Sequence, residues 1–188
     1  MSNYKTVFFI LGVLQIILGL SMIVPIMAQF YYNQVDSGFI GSGLVSIIFG
    51  VLFFLSNLDY EKKLTLPQAF LLTALSWLSI AIFGSLPFVF SDLSLSFTNA
   101  FFESMSGITT TGSTILTNLN ETPKAILLWR AMLQWLGGIG IIVMAITLMP
   151  IMNIGGMQLF VISNTHTPEK ILPTVSYTHL RAHETTSY

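Results

Sequence analysis

The sequence predicts an all-α membrane protein: an N-terminal transmembrane hairpin, then two further spans that flank a re-entrant half-helix. Three observations predict it. Of 188 residues, 8% are charged and 53% hydrophobic, against about 25% charged in a soluble domain, so the chain cannot supply a solvated surface and its solvent is the lipid bilayer. Four stretches contain no Asp, Glu, Lys or Arg: between Lys5 and Asp36, Asp36 and Asp59, Lys63 and Asp92, and Arg130 and Glu169. Each can hold the roughly 20 apolar residues that cross a hydrocarbon core. Between the third and fourth spans lies a short apolar segment followed by a run of Thr and Gly.

The spans are expected at about Tyr4–Ala28, Phe39–Leu58, Pro67–Phe90 and Lys124–Pro150. Tyr4 precedes the first and Phe30, Tyr31 and Tyr32 follow it, the positions that aromatic rings take at headgroup level. A signal peptide does not fit Met1–Ala28, because its apolar part is too long and no Ala-x-Ala cleavage site follows. Thr65 can cap the third helix, and Pro67 sits in its first turn, where a missing N–H costs nothing; Pro123 plays the same part for the fourth. Gly137, Gly138 and Gly140 cluster midway along the fourth span. Each glycine disfavours helix by about 1 kcal/mol relative to Ala, so the cluster is either a gating hinge or a place of close helix packing.

Lys5 precedes the first span and Lys62 and Lys63 follow the second, whereas the connection between them holds only Asp36. The positive-inside rule then puts the N-terminus and the 57–66 loop in the cytoplasm and 91–122 at the outer face.

The segment Ser94–Gly107 has helical apolar spacing at Leu95, Ala100, Phe101 and Met105, but at 1.5 Å per residue its reach is only about 21 Å, short of the roughly 30 Å core. It enters the membrane without crossing. Ile108–Thr114 (ITTTGST) follows, β-branched and hydroxyl-rich, which is poor helix material. Irregular backbone at membrane depth is tolerated only where protein buries it or a water-filled path runs past it. Outer helix, half-helix, extended strand and inner helix together make a membrane-pore-membrane repeat. A dehydrated K⁺ needs a ring of carbonyl oxygens, and Gly permits the backbone angles that aim successive carbonyls at one axis. Thr110, Thr111 and Gly112 are the residues placed there, with Thr109 and Ser113 flanking; the alternative is a Thr-rich outer loop with no ion. The half-helix would point its partially negative C-terminal end at the bilayer middle.

Glu103 lies inside the half-helix, where an unpaired carboxylate is expensive. Either it pairs with Arg130, two turns into the fourth span, or each snorkels to the outer interface.

Other chemistry is excluded or weak. Seven Lys and Arg against eight Asp and Glu give a net charge of −1, without the basic footprint that nucleic acid requires. Cysteine is absent, so there is no disulfide framework and no thiol nucleophile. Gly41-Ser42-Gly43 could suggest an intramembrane protease, but the three His fall at 166, 179 and 183, outside the spans, leaving Ser42 no base. No Gly-x-x-x-x-Gly-Lys-Ser/Thr occurs, so ATP hydrolysis has no P-loop. No cofactor is expected, and K⁺ is the only metal.

Phe101–Ser113 (FFESMSGITTTGS), Leu128–Ala145 (LWRAMLQWLGGIGIIVMA) and Gly155–Phe160 (GGMQLF) resemble the Trk/Ktr/HKT superfamily of potassium transporters, most closely its bacterial TrkH branch. The resemblance implies a hairpin followed by four membrane-pore-membrane repeats around one pore, K⁺ uptake across the bacterial cytoplasmic membrane, a cytoplasmic nucleotide-binding regulatory subunit, and a homodimer of the full-length protein. On that pattern residues 1–60 are the hairpin, 61–152 the first repeat and 153–174 the start of a cytoplasmic link. The tail 175–188 contains VSYTHLRAHET, which resembles a translated sequencing adapter and is expected to be non-native; its His179 and His183 then carry no metal reading. The chain is expected to be a truncated part of the transporter. Two alternatives are a one-repeat homotetrameric channel, disfavoured because Thr-Thr-Thr-Gly-Ser lacks the second Gly and the aromatic of Thr-Val-Gly-Tyr-Gly, and a membrane fragment that does not conduct.

Overall fold

The computed structural model describes residues 4–34, 36–60 and 64–151. Lys62, Lys63, the 153–174 link with Gly155–Phe160, the three His and the tail lie outside the described residues. The chain divides into two compact units, Met1–Leu148 and Met149–Tyr188, and the contacts below belong to the first. Six helices follow one another: α1 (Lys5–Ser21), α2 (Ile23–Tyr31), α3 (Gly38–Ser56), α4 (Leu66–Phe90), α5 (Phe97–Ile108) and α6 (Lys124–Ile151). Four spans are long and apolar enough to cross a membrane, with α1 and α2 together forming the first, Lys5–Tyr31.

That first span is broken, which its continuous apolar run did not suggest. Pro25 has no N–H to give the Ser21 carbonyl, so the ladder slips at Met22, whose own N–H goes to the Gly19 carbonyl at 3.3 Å. The span also ends at Tyr31 rather than Ala28.

α1 and α3 meet antiparallel, backbone to backbone. A Cβ on Gly12 would stand 2.8 Å from the Gly50 carbonyl oxygen, one on Gly50 would stand 2.9 Å from that of Gly12, and one on Gly19 would stand 3.0 Å from that of Gly43. Lipid tails are as apolar as Leu, so helices in a bilayer gain by close contact rather than by hiding apolar surface, and small residues permit that contact. Deep in the hairpin, Gln15 is fully buried and donates Nε2 to Ser79 Oγ on α4 at 2.5 Å, joining hairpin to repeat. Ser42 Oγ donates back to the Gly38 carbonyl at 2.6 Å, an ordinary intrahelical use of a hydroxyl.

Thr65 begins α4 in extended geometry, with Gln68 Oε1 accepting its N–H at 2.8 Å. At the other end of the repeat, Asp36 accepts the Gly38 N–H at 2.9 Å and the Asp92 N–H at 3.3 Å, and Gln34 Oε1 accepts the Lys124 N–H at 3.2 Å. These bonds tie the α2–α3 connection to the entry of the half-helix and to the start of α6. The core lies at this end, where Phe39, Phe88, Ala100, Ile126, Trp129 and Leu133 pack together. Trp129 sits at its centre, edge-on to Phe39 at 6.2 Å, with its indole N–H donated to the Gly84 carbonyl at 2.9 Å. Its apolar body fills the core while its polar atom finds a partner.

Candidate functional site

α5 is the re-entrant half-helix. It starts at Phe97, three residues later than the apolar spacing suggested, because Ser94 takes a left-handed φ of 44° and Ser96 Oγ caps the Asn99 N–H at 3.4 Å. Its twelve residues reach about 18 Å. The helix is inside out by soluble standards: Phe97 and Phe102 are exposed, whereas Glu103, Ser104 and Ser106 are buried. That polar face governs the loop that follows.

The helix ends in a Schellman turn. The Thr111 N–H bonds the Ser106 carbonyl at 3.0 Å and the Thr110 N–H bonds the Gly107 carbonyl at 2.9 Å, with Thr110 at φ 57° in the left-handed C′ position. Thr109 N–H and Oγ both donate to the Met105 carbonyl, at 2.9 and 2.8 Å. Orphan carbonyls at membrane depth need donors, and this turn supplies them. Thr109 and Thr110 therefore close the helix, and the extended run starts at Thr111 rather than before it. Thr109 and Thr111 hydroxyls lie 2.9 Å apart.

Gly112 follows at φ 79°, also left-handed. From there the strand is gripped on one side. Arg130 Nη2 donates to the Gly112 carbonyl at 2.9 Å and the Ser113 carbonyl at 3.3 Å, while Ser106 Oγ donates to the Ser113 carbonyl at 2.6 Å. Glu103, fully buried, forms an ion pair with Arg130 Nε and accepts from Thr114 Oγ at 2.9 Å and the Ile115 N–H at 3.0 Å. Both carboxylate oxygens are thus engaged, which is what makes a buried charge tolerable. The pair joins half-helix, strand and inner helix at one point.

Among the described residues, no donor reaches the Thr110 or Thr111 carbonyl. Those two oxygens are free to meet a ligand, at the partially negative end of α5. The Gly112 carbonyl, expected beside them, accepts Arg130 here and keeps its second lone pair.

The three glycines of α6 divide. A Cβ on Gly137 would overlap the Ile108 carbonyl oxygen and stand 2.7 Å from the Ile108 carbonyl carbon, whereas Gly138 and Gly140 have nothing within 4 Å. Gly137 is where the inner helix touches the tip of the half-helix. Beneath that tip an apolar cleft of about 400 Å³ opens between α1, α4 and α6, lined by Leu14, Ile17, Trp77, Ile108 and Gly137 among others.

Sequence reasoning passed over Ser106 and Thr114. Their signal was present: Ser106 lies three residues after Glu103, on the same helix face, and a polar face on a membrane helix points inward.

The TrkH family model, described as a cation transport protein, matches residues 5–182. The Trk system potassium uptake protein TrkH of Escherichia coli K12 is 39% identical over 160 residues, which are 84% of this chain and 33% of that protein. TrkI of Halomonas elongata is 39% identical over 165 residues, 87% of this chain and 34% of that protein. The crystal structure of the potassium transporter TrkH from Vibrio parahaemolyticus superposes with a TM-score of 0.78 at 36% identity, covering 82% of this chain and 34% of that one. This chain thus spans about a third of the length of the relatives it matches, and the chain belongs to the TrkH family of cation transport proteins.

Proposed function

We propose that this chain supplies the hairpin and the first of four pore repeats of a Trk-type potassium uptake protein. K⁺ passes through a filter to which Thr110, Thr111 and Gly112 contribute backbone carbonyls, flanked by Thr109 and Ser113. The observation that carries this reading is the pair of unclaimed carbonyls at Thr110 and Thr111, beside a strand that Arg130, Glu103 and Ser106 hold from behind. A dehydrated K⁺ needs several such oxygens around it, and one strand supplies a quarter of the ring, so the other repeats complete the site.

In this reading residues 1–60 are the hairpin, 61–152 the repeat, 153–174 the start of the cytoplasmic link and 175–188 a non-native tail. The protein lies in the bacterial cytoplasmic membrane with its N-terminus inside, as Lys5, Lys62 and Lys63 favour, so α5 descends from the outer face. Inward movement of each K⁺ gains about 2.3 kcal/mol per 100 mV of inside-negative potential; no bond is made or broken, and the protein is not an enzyme. A second copy and a cytoplasmic nucleotide-binding regulatory subunit are its partners.

Gly112→Ser tests the reading in the complete transporter. A side chain at a left-handed φ turns the neighbouring carbonyls off the axis, so K⁺ over Na⁺ discrimination should fall. Rb⁺ uptake and Na⁺ inhibition equal to those of the parent would return the run to a Thr-rich loop.

A further inference from the structure

The inner helix α6 turns one stripe towards the pore loop, and each residue on it meets a different part. Arg130 grips Glu103 and the Gly112 and Ser113 carbonyls. Leu133 lies against Gly107, whose Cβ would stand 3.1 Å from the Leu133 Cβ, and Gly137 abuts the Ile108 carbonyl. Between them, one turn on from Arg130, stands Gln134. Its Nε2 lies 3.8 Å from where a Cβ on Gly112 would be, directly behind the left-handed turn of the strand. Gln134 is half-buried, and among the described residues its amide has no hydrogen-bond partner. An amide at membrane depth gains by finding a partner, and the Gly112 backbone lies within reach of this side chain.

We propose that Gln134 is a positioning residue of the filter: in the assembled pore its amide, whose Nε2 now stands 3.8 Å from the Gly112 Cβ position, turns to donate to the Thr111–Gly112 stretch of backbone and so sets how closely the ring carbonyls can approach the ion. This rests on the K⁺-pore reading above. Arg130 anchors the strand at Gly112 and Ser113, but among the described residues no donor tethers the carbonyls of Thr110 and Thr111. A ring free to contract would fit the smaller Na⁺ better, so a tether one turn deeper than Arg130 favours K⁺. The role is distinct from that of Arg130, which satisfies a buried carboxylate as well as the strand.

The test uses the complete transporter, with Rb⁺ uptake and its inhibition by Na⁺ measured at matched membrane abundance. Gln134→Met and Gln134→Leu fill much of the same volume without a donor; Gln134→Asn keeps the amide on a shorter stem. Loss of one neutral hydrogen bond corresponds to about a 3- to 10-fold fall in K⁺ over Na⁺ discrimination for the Met and Leu variants, with Asn retaining part of it. A residue that merely packs would leave the ratio unchanged in all three. Gly112→Ser run alongside separates the two levels of failure. If Gly112→Ser lowers discrimination and either apolar variant that reaches the membrane does not, Gln134 has no role in the filter. If Gly112→Ser and the apolar variants all leave it unchanged, the pore reading falls and this inference with it.

Discussion

The hairpin and the repeat are both assembled from apolar helices, yet they are held together in opposite ways. α1 and α3 touch through glycines at two levels, Gly12 against Gly50 and Gly19 against Gly43, and that seam needs no charge. The repeat carries irregular backbone from Thr109 to Thr122, and its decisive contacts are an ion pair and hydrogen bonds around Glu103, Ser106 and Arg130. The physics of the bilayer explains the difference. Regular helices satisfy their own backbone and need only to approach closely, whereas a loop at membrane depth must find donors and acceptors elsewhere in the chain. The hairpin should therefore be sensitive to added volume and the repeat to lost polarity.

The largest expected effect is on the polar side. Arg130→Met removes the partner of a buried carboxylate and two donors to the strand, and breaking such a pair costs about 3–5 kcal/mol. Purified full-length transporter should show a markedly lower Tm and K⁺ uptake should be lost. Adding Glu103→Gln should restore part of the stability, because the remaining buried charge is gone, while uptake stays low since the strand has still lost Arg130. A double variant no more stable than Arg130→Met alone would mean that the pair does not hold the loop.

Volume should dominate in the hairpin. Gly50→Val places side-chain atoms where the Ile16 backbone N is already 2.8 Å from a Cβ, and overpacking of this kind costs about 1–3 kcal/mol. Gly41, on the same helix, has nothing within 4 Å of its Cβ position, so Gly41→Val serves as the comparison and should leave Tm close to that of the parent. Neither should change K⁺ over Na⁺ discrimination. If Gly50→Val were as well tolerated as Gly41→Val, backbone contact would not be what joins α1 to α3.

How far these features could be read in advance follows from where their causes lie. The spans were legible because charge is forbidden across a hydrocarbon core, a constraint visible in one dimension. The half-helix was legible by length, and Glu103 and Arg130 as a possible pair because intramembrane charges have few alternatives. The Schellman turn was hidden: its C′ position favours Gly, and the chain puts Thr110 there, against propensity. The break at Met22 followed from Pro25, which a continuous apolar stretch concealed. Gly12, Gly50 and Gln134 draw their meaning from atoms far along the chain, and no local pattern announces them.

The smallest effect sharpens the contrast within the loop itself. Thr110 and Gly112 are both left-handed, at φ 57° and 79°, yet one is β-branched and the other has no side chain. An L-residue in this region is disfavoured by about 1–2 kcal/mol, so Thr110→Gly relieves strain in the turn. Glycine's greater freedom in the unfolded chain opposes this by about 0.5–1 kcal/mol, leaving a gain between none and about 1.5 kcal/mol in the difference. Tm should stay level or rise slightly, and discrimination should survive, because the bonds that shape the turn run through the backbone at Ser106, Gly107, Thr110 and Thr111. Gly112→Ser should do the reverse, adding strain where Arg130 and the strand meet. Were Thr110→Gly to lower K⁺ over Na⁺ discrimination as much as Gly112→Ser, the stiffness of the threonine, and not the backbone bonds of the turn, would set the direction in which the Thr110 carbonyl points.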